Sequence, residues 1–507
     1  MNWTMKKVFL SILSIIMLAS ASPLSARNAG ISGASKTSEY PYKAGVPAEC
    51  EDVMLQAFYW DSYNANASTT KYGRTKWIDL LKDTAAINAN FDVVWFPPSA
   101  GPTGNGVGYS ARQYSSQESD WGSKTKLQEL ITALHKGNTK VLADVVLNHR
   151  GNSNSWCTFF SDNFGSYGTW QLTQKHIVSN DECFTNKSSS CYNASSSDRG
   201  AADTGDNFDG ARDLDHTSET VQNWAKAYEK WLLNVMNYDG FRYDMTLGFH
   251  GRYLKMYNEA ANPYISVSEL WSGMDRQKQH LQECEYNTMV FDFQNKYSLK
   301  GILTNQYGKL DKNNQSYEGF RKHGLERYAV TFIDNHDTFD RGTQYGDNQF
   351  GNSNLSDATT KNRILQANAY ILSMPGIPCV FWPHWASYKD DINEMIAVRK
   401  RAGIHSESKV TEELGGSYKY TATIQGHRGS VILRLGKNRS TEVPEGYELV
   451  VDGGDRGAYS IYYGEGLLGV EETGDGLQVT GKKFVEDGKL LIRVGERVYD
   501  VMGNVVR

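Results

Sequence analysis

Carboxylate, histidine and amide side chains cluster at four places in the chain, each at the end of a short apolar run. They are Asp144-Val-Val-Leu-Asn148-His149, Gly240-Phe-Arg242-Tyr-Asp244, Ser268-Glu269-Leu270-Trp271 and Phe332-Ile-Asp334-Asn335-His336-Asp337. Retaining cleavage of a glycosidic bond needs two carboxyl groups on opposite sides of it. One is ionised and nucleophilic, and the other is protonated to release the leaving group. A lone Asp at a strand end is usually only a cap or turn residue. Four such clusters on four separate strands form a far more specific signal.

The elements that must position them follow from periodicity. Apolar runs rich in β-branched and aromatic residues predict strands over Val53–Trp60, Phe91–Pro97, Lys140–Leu147, Gly240–Asp244, Tyr264–Leu270, Thr288–Phe293, Ala329–Asp334 and Ile377–Trp382. Amphipathic stretches between them predict helices, among them Thr75–Ile87, Lys124–Lys136, Thr220–Asn237 and Lys361–Ser373. Eight strands alternating with helices imply an α/β fold, a closed (β/α)8 TIM barrel, whose functional end lies at the strand C-termini. The barrel is expected over 50–149 and 218–402. The interval 150–217 carries no long amphipathic run and reads as a subdomain inserted after strand three, because structureless loops of that length are uncommon. Beyond Arg401 the pattern becomes period-two alternation, in Ser417–Ile424 and Ser430–Leu435, so 403–483 is expected to be an all-β domain.

Over roughly residues 50–402 the four motifs, in order and spacing, resemble the α-amylase family of glycoside hydrolases. The resemblance implies that Asp244 is the nucleophile and Glu269 the general acid/base, whose pKa must be raised so that it starts protonated. It implies that Asp337 is the third carboxylate, binding sugar hydroxyls. Arg242, on the same face of the strand as Asp244, would hydrogen-bond that carboxylate and hold its pKa down. His149 and His336 match histidines that flank the sugar at subsite −1, and Tyr109 matches the tyrosine that stacks on it. Asp144 matches a structural position. Trp60 and Trp95 are left between core packing and sugar contact. The family usually joins insert to barrel with Ca2+, a hard cation that takes oxygen ligands. Asn148 matches its amide ligand, Asp213 its carboxylate ligand and Gly248 its backbone carbonyl. There are departures. Leu247-Gly248 replaces the Lys many relatives carry on the aglycone side, and Phe291-Asp292-Phe293 with Lys300-Gly301-Ile302-Leu303 resembles the plant-type branch. No basic residue lies in Ile377–Pro383, so no chloride dependence is expected. The implied activity is endo-hydrolysis of α-1,4-glucan. The alternatives are a related hydrolase or transglycosylase acting on pullulan or cyclodextrin, and a non-catalytic glucan-binding relative.

Composition agrees with a neutral ligand. Formal net charge is −5 over 507 residues, mean hydropathy is −0.55 and pI about 6.2, which gives no footprint for nucleic acid. The 30 Tyr and 12 Trp supply faces suited to sugar rings, although barrel cores consume them too. Lys6 and Lys7, an apolar run Val8–Leu18 and small residues near 21 and 26 predict a signal peptide over 1–26. The run is too short to span a bilayer comfortably. A secreted monomer is expected, in periplasm, at the cell surface or outside the cell. Export permits disulfides among the six cysteines, and Cys183–Cys191 is the expected bridge. Cys379 reads as a small buried apolar residue. Residues 484–507, with short strands Lys489–Val494 and Arg497–Val501, are similar to C-terminal sorting tails of Bacteroidetes secreted proteins, and equally read as a closing hairpin.

Overall fold

The computed structural model of the chain describes residues 45–64, 72–339, 350, 354–465, 468–470, 479–486, 489–494, 497–500 and 506. The expected signal peptide lies outside the described residues. Eight parallel strands form the centre: β1 (Met54–Gln56), β2 (Val93–Trp95), β3 (Lys140–Val145), β4 (Gly240–Tyr243), β5 (Ser266–Ser268), β6 (Met289–Phe291), β7 (Ala329–Phe332) and β8 (Ile377–Phe381). Each pairs with the next, and β8 closes onto β1 through Met54↔Cys379. Of their residues only Lys140 is not buried. Helices outside and side chains inside cover both faces of such a sheet, which is why these strands read as apolar runs rather than alternations. The hydrogen-bonded strands are shorter than the apolar runs. Past each ladder's end the chain turns outward, and the motif residues Asp244, Glu269 and Asp334–Asp337 sit in those turns.

The surrounding helices include α1 (Trp77–Asn90), α2 (Lys124–His135), α3 (Glu219–Asn234), α4 (Gly251–Ala261), α5 (Met274–Glu283), α6 (Ala358–Ser373) and α7 (Lys389–Ala402). In α2, Ser123 caps the N-terminus by accepting from the Lys126 N–H, and Leu127, Leu130, Ile131 and Leu134 form the buried stripe that helical spacing predicts. Gly240 starts β4 where a Cβ would lie 2.2 Å from the Ile265 carbonyl oxygen, so the close approach of β4 to the chain entering β5 requires glycine.

Between β3 and α3 the chain makes its excursion with only short elements. Its two ends are zipped together by the antiparallel pair His149–Arg150 and Arg212–Asp213. Arg150 and Asp162, both fully buried, form a 2.9 Å ion pair. Asp162 also accepts from Trp224 Nε1 on α3 at 3.0 Å and from the Tyr114 N–H at 2.7 Å, which ties the excursion to the barrel. The disulfide here corrects the expectation: Cys191 bonds Cys157, not Cys183, with Cα atoms 6.2 Å apart and a sequence separation of 34. Cys183 keeps its thiol, buried within 4.8 Å of both sulfurs. Short spacing suggested the nearer partner, whereas the folded excursion brings in the more distant one. Cys379 is buried, as expected.

Beyond the barrel, β9 (Lys409–Gly415), β10 (Tyr420–Gln425), β11 (Gly429–Leu435), β12 (Tyr447–Asp452) and β13 (Tyr459–Glu465) form an antiparallel sheet in the order β9-β10-β11-β13-β12. It packs on α6 and α7. Buried Arg321 reaches from the barrel to Glu413 Oε1 at 2.8 Å, and Tyr420 donates to the same oxygen at 2.6 Å. A second sheet comprises β14 (Leu468–Val470), β15 (Val479–Glu486), β16 (Lys489–Val494) and β17 (Arg497–Asp500), so most of the described residues after 484 lie in paired strands. No helix among the described residues is long and apolar enough to cross a membrane.

Candidate active site

The loops leaving β2, β3, β4, β5 and β7 bring the sequence-selected residues to one end of the barrel, and Arg242 is the hub. Its guanidinium, 1% exposed, donates to Asp144 Oδ1 at 2.8 Å and Asp244 Oδ1 at 2.9 Å through NH1, and pairs with Glu269 Oε2 at 2.8 Å through NH2. Arg242 precedes Asp244 by two residues, so both side chains point to the barrel interior, and Glu269 comes from the adjacent strand end. The turn after β4 grips Glu269 further. Met245 adopts the left-handed conformation at φ 44°, its N–H reaches Glu269 Oε2 at 3.2 Å, and Thr246 Oγ1 donates to the Glu269 carbonyl at 2.7 Å.

One cation facing three buried carboxylates sets the electrostatics. Burial pushes Asp244 well above the ordinary carboxylate range. Arg242 opposes this, as expected, but Glu269 and Asp144 add to burial and the net direction is upward. Burial likewise pushes Asp144 up to about 6 against the pull of Arg242 and Tyr109. The expected lowering of Asp244 is therefore outweighed. Burial disfavours the charge on Arg242 as well, but Asp144 and Glu269 reverse that and hold it firmly protonated.

Asp144 is more than a strand-end residue. It accepts from Trp95 Nε1 at 3.0 Å and from the Tyr109 hydroxyl at 2.9 Å, which joins the Arg242 hub to an aromatic floor. Trp95 is buried core, whereas half-buried Trp60 lies parallel to both Tyr109 and His336, at interplanar angles of 12° and 6°. Tyr109 and His336 stack at 5.2 Å. His336 Nε2 lies 3.2 Å from Asp337 Oδ2, and Asp337 is only partly buried. His149 is buried and stacked on Phe208 at 4.2 Å. Its Nε2 lies 2.8 Å from the Tyr109 carbonyl, so in this geometry that nitrogen braces the loop carrying Tyr109. Burial lowers its pKa to about 4, and the ring is neutral.

Asn148, next to His149, leads to a second cluster. Asn148 Nδ2 lies 3.2 Å from Asp213 Oδ1, and a Cβ on Gly248 would collide with the Asn148 amide and displace it. Burial raises Asp213 to about 8, with Asp203, Asp181 and Glu182 adding to it. Asp203 is raised to about 6, again chiefly by burial, and its Oδ2 is buried with no hydrogen-bond partner. An amide oxygen, two carboxylates that burial makes costly to ionise and a backbone in close contact make a donor set that fits a hard cation. Sequence reasoning missed Asp203, Met245 and Gln56. Asp203 stands in a polar Asp/Gly stretch with no distinguishing spacing. Met245 acts through its backbone conformation, and Gln56, at the end of β1, reaches His336 at 3.0 Å from 280 positions away in sequence.

The comparisons with known proteins agree with this architecture. The family model described as the α-amylase catalytic domain matches residues 73–402. The chain is 28% identical over 435 residues to chloroplastic alpha-amylase 3 of Arabidopsis thaliana, an alignment covering 80% of this chain and 43% of that protein. It is 29% identical over 396 residues to probable alpha-amylase 2 of the same plant, covering 74% and 86%. Among solved structures, an Anoxybacillus alpha-amylase superposes with a TM-score of 0.56 at 16% identity, covering 82% of this chain and 97% of that one, a likeness of fold.

Proposed function

The chain belongs to the α-amylase family of glycoside hydrolases, and from that premise we propose that it hydrolyses internal α-1,4-glucosidic bonds of starch-type glucans with retention of anomeric configuration. The observation that carries this is the single guanidinium of Arg242, which holds Asp244 and Glu269 on neighbouring nitrogens at 2.9 and 2.8 Å. Two carboxylates sharing one guanidinium suit the roughly 5–5.5 Å separation of retaining enzymes better than the roughly 6.5–9.5 Å that also houses a water. In this reading Asp244 attacks the anomeric carbon. Glu269 protonates the leaving oxygen and then, as carboxylate, deprotonates the water that releases the sugar. For this the proton must sit on Glu269 and Asp244 must be ionised, with the Arg242 guanidinium countering the charge on Asp244. Asp337 and His336 bind hydroxyls of the −1 sugar, Tyr109 and Trp60 provide its stacking surface, and His149 holds the Tyr109 loop.

Calcium would be held by Asn148, Asp213, Asp203 and Gly248, where it supplies positive charge to buried carboxylates and joins the excursion to the loop after the nucleophile. Residues 1–26 would direct export, with 484–507 as a sorting tail. The test is proton NMR of the first-formed product from a maltooligosaccharide, before mutarotation, together with product profiles on starch, pullulan and cyclodextrin. An initial α-anomer and mixed oligosaccharides from starch are expected. An initial β-anomer would overturn the double displacement, and turnover confined to cyclodextrin or pullulan would overturn the substrate.

A further inference from the structure

Gln56 ends β1 with its side chain in the barrel mouth, 1% exposed. Its amide nitrogen lies 3.0 Å from His336 Nδ1. An amide NH2 can only donate, so the Nδ1 facing it must offer a lone pair, and the one proton of a neutral imidazole is then on Nε2. That nitrogen faces Asp337 Oδ2 at 3.2 Å. Four rings hold the imidazole: Phe58 at 4.9 Å, Tyr109 at 5.2 Å, Trp95 at 5.6 Å and Trp60 at 5.9 Å, with Tyr109 and Trp60 nearly parallel to it. A ring so enclosed cannot exchange its nitrogens by flipping without displacing the stack. We propose that Gln56 is a positioning residue for the hydrolytic reaction, setting His336 in the neutral Nε2–H tautomer so that it presents a donor to Asp337 and to the sugar bound there.

The consequence is chemical. With the proton on Nε2 the ring donates to a carboxylate or a hydroxyl. With it on Nδ1, a lone pair would face the Asp337 carboxylate and push sugar and carboxylate out of register. The titratable groups against the ring are Asp337 from its own turn and Tyr109 from the loop after β2, whose hydroxyl burial keeps protonated. The inference rests on His336 and Asp337 acting on the −1 sugar, but the tautomer itself is measured without substrate or activity.

The direct experiment is nitrogen-15 NMR of the histidine-labelled full chain at neutral pH, with His336 assigned by the resonance lost in His336→Gln. Protonated Nε2 and unprotonated Nδ1 are expected. The reverse tautomer, or an imidazolium, overturns the proposal whether or not any Gln56 variant folds. Two variants test the consequence. Gln56→Leu is expected to lower kcat by roughly 10- to 100-fold, with KM changed far less and the pH profile unmoved, as for other lost orienting partners. Gln56→Glu accepts from Nδ1–H, so Nε2 carries a proton only while the ring is doubly protonated. Its activity relative to wild type should be highest at acidic pH and fall as the ring deprotonates. Wild-type kcat in both variants, or equal losses with no change of pH profile and a lowered Tm, would reduce Gln56 to core packing and overturn the proposal. Should Asp337→Asn retain turnover while the wild-type tautomer is as expected, it is the site assignment that fails.

Discussion

Replacing Arg242 with Met tests the electrostatic reasoning most severely. Methionine keeps an unbranched apolar stem but loses the guanidinium that lies 5.0 Å from the Trp95 ring centroid, and Asp144, Asp244 and Glu269 lose their common cation. Breaking a buried pair on one side costs about 3–5 kcal/mol when the remaining charge cannot escape. Here it can escape by taking up a proton. Losing an adjacent cation raises a carboxylate by about 1–3 pKa units, at about 1.4 kcal/mol per unit, so a destabilisation of roughly 1.5–4 kcal/mol is expected near neutrality. The effect on rate follows from the same shift. Each unit by which Asp244 rises above the assay pH leaves about a tenth of it ionised, so kcat/KM should fall roughly 10- to 1000-fold and recover partly as pH rises. Asp144 is a group whose folded pKa is raised. Its contribution is complete below the ordinary carboxylate range and is lost as pH rises through the folded value. In wild type the loss at Asp144 is complete near its value of about 6, and in the variant it should be larger and extend to higher pH. Lysine at 242 restores the charge without the fork that reaches three carboxylates, and should give an intermediate loss. The assay is initial rate on soluble starch and Tm across about pH 5–9. A variant within about threefold of wild type, with an unmoved pH profile, would refute the hub.

Three further outcomes are expected. Glu269→Gln and Asp337→Asn should each lose on the order of a hundredfold or more of starch hydrolysis while Tm stays close to wild type, since both groups border the cleft; near-wild-type turnover removes that residue from the mechanism. Excess chelator should lower Tm and added calcium restore it, by about 4 kcal/mol of stability at a thousand times Kd, with Asp203→Asn and Asp213→Asn both blunting the response; metal analysis without calcium and an unchanged melting curve would refute the ion site. Peptide mapping without reduction should recover Cys157 joined to Cys191, and Cys157→Ser should cost roughly 3–4 kcal/mol for a loop of this length; recovery of Cys183–Cys191 instead would refute the pairing.

The sequence by itself determined the barrel and the membership of its mouth, because both depend on local patterns. Eight apolar runs alternating with helices imply a parallel sheet covered on both faces, and eight is the number that closes a barrel. Arg242 two residues before Asp244, and Glu269 one strand later, sit at one barrel end wherever strands are parallel and in register. Even where the apolar runs exceeded the true ladders, the chemistry-bearing residues were in the right turns. What tertiary structure alone decided is whatever depends on distance between segments remote in sequence, or on burial. Cys191 took Cys157, 34 residues away, rather than the near Cys183. Gln56 met His336 across 280 positions, with no motif to announce it. Asp203 became a candidate ion ligand only because folding buried its carboxylate. Asp244 rose despite its arginine because desolvation grows with every neighbour that covers a carboxylate. Spacing names those neighbours along one strand, whereas only the folded chain supplies the rest.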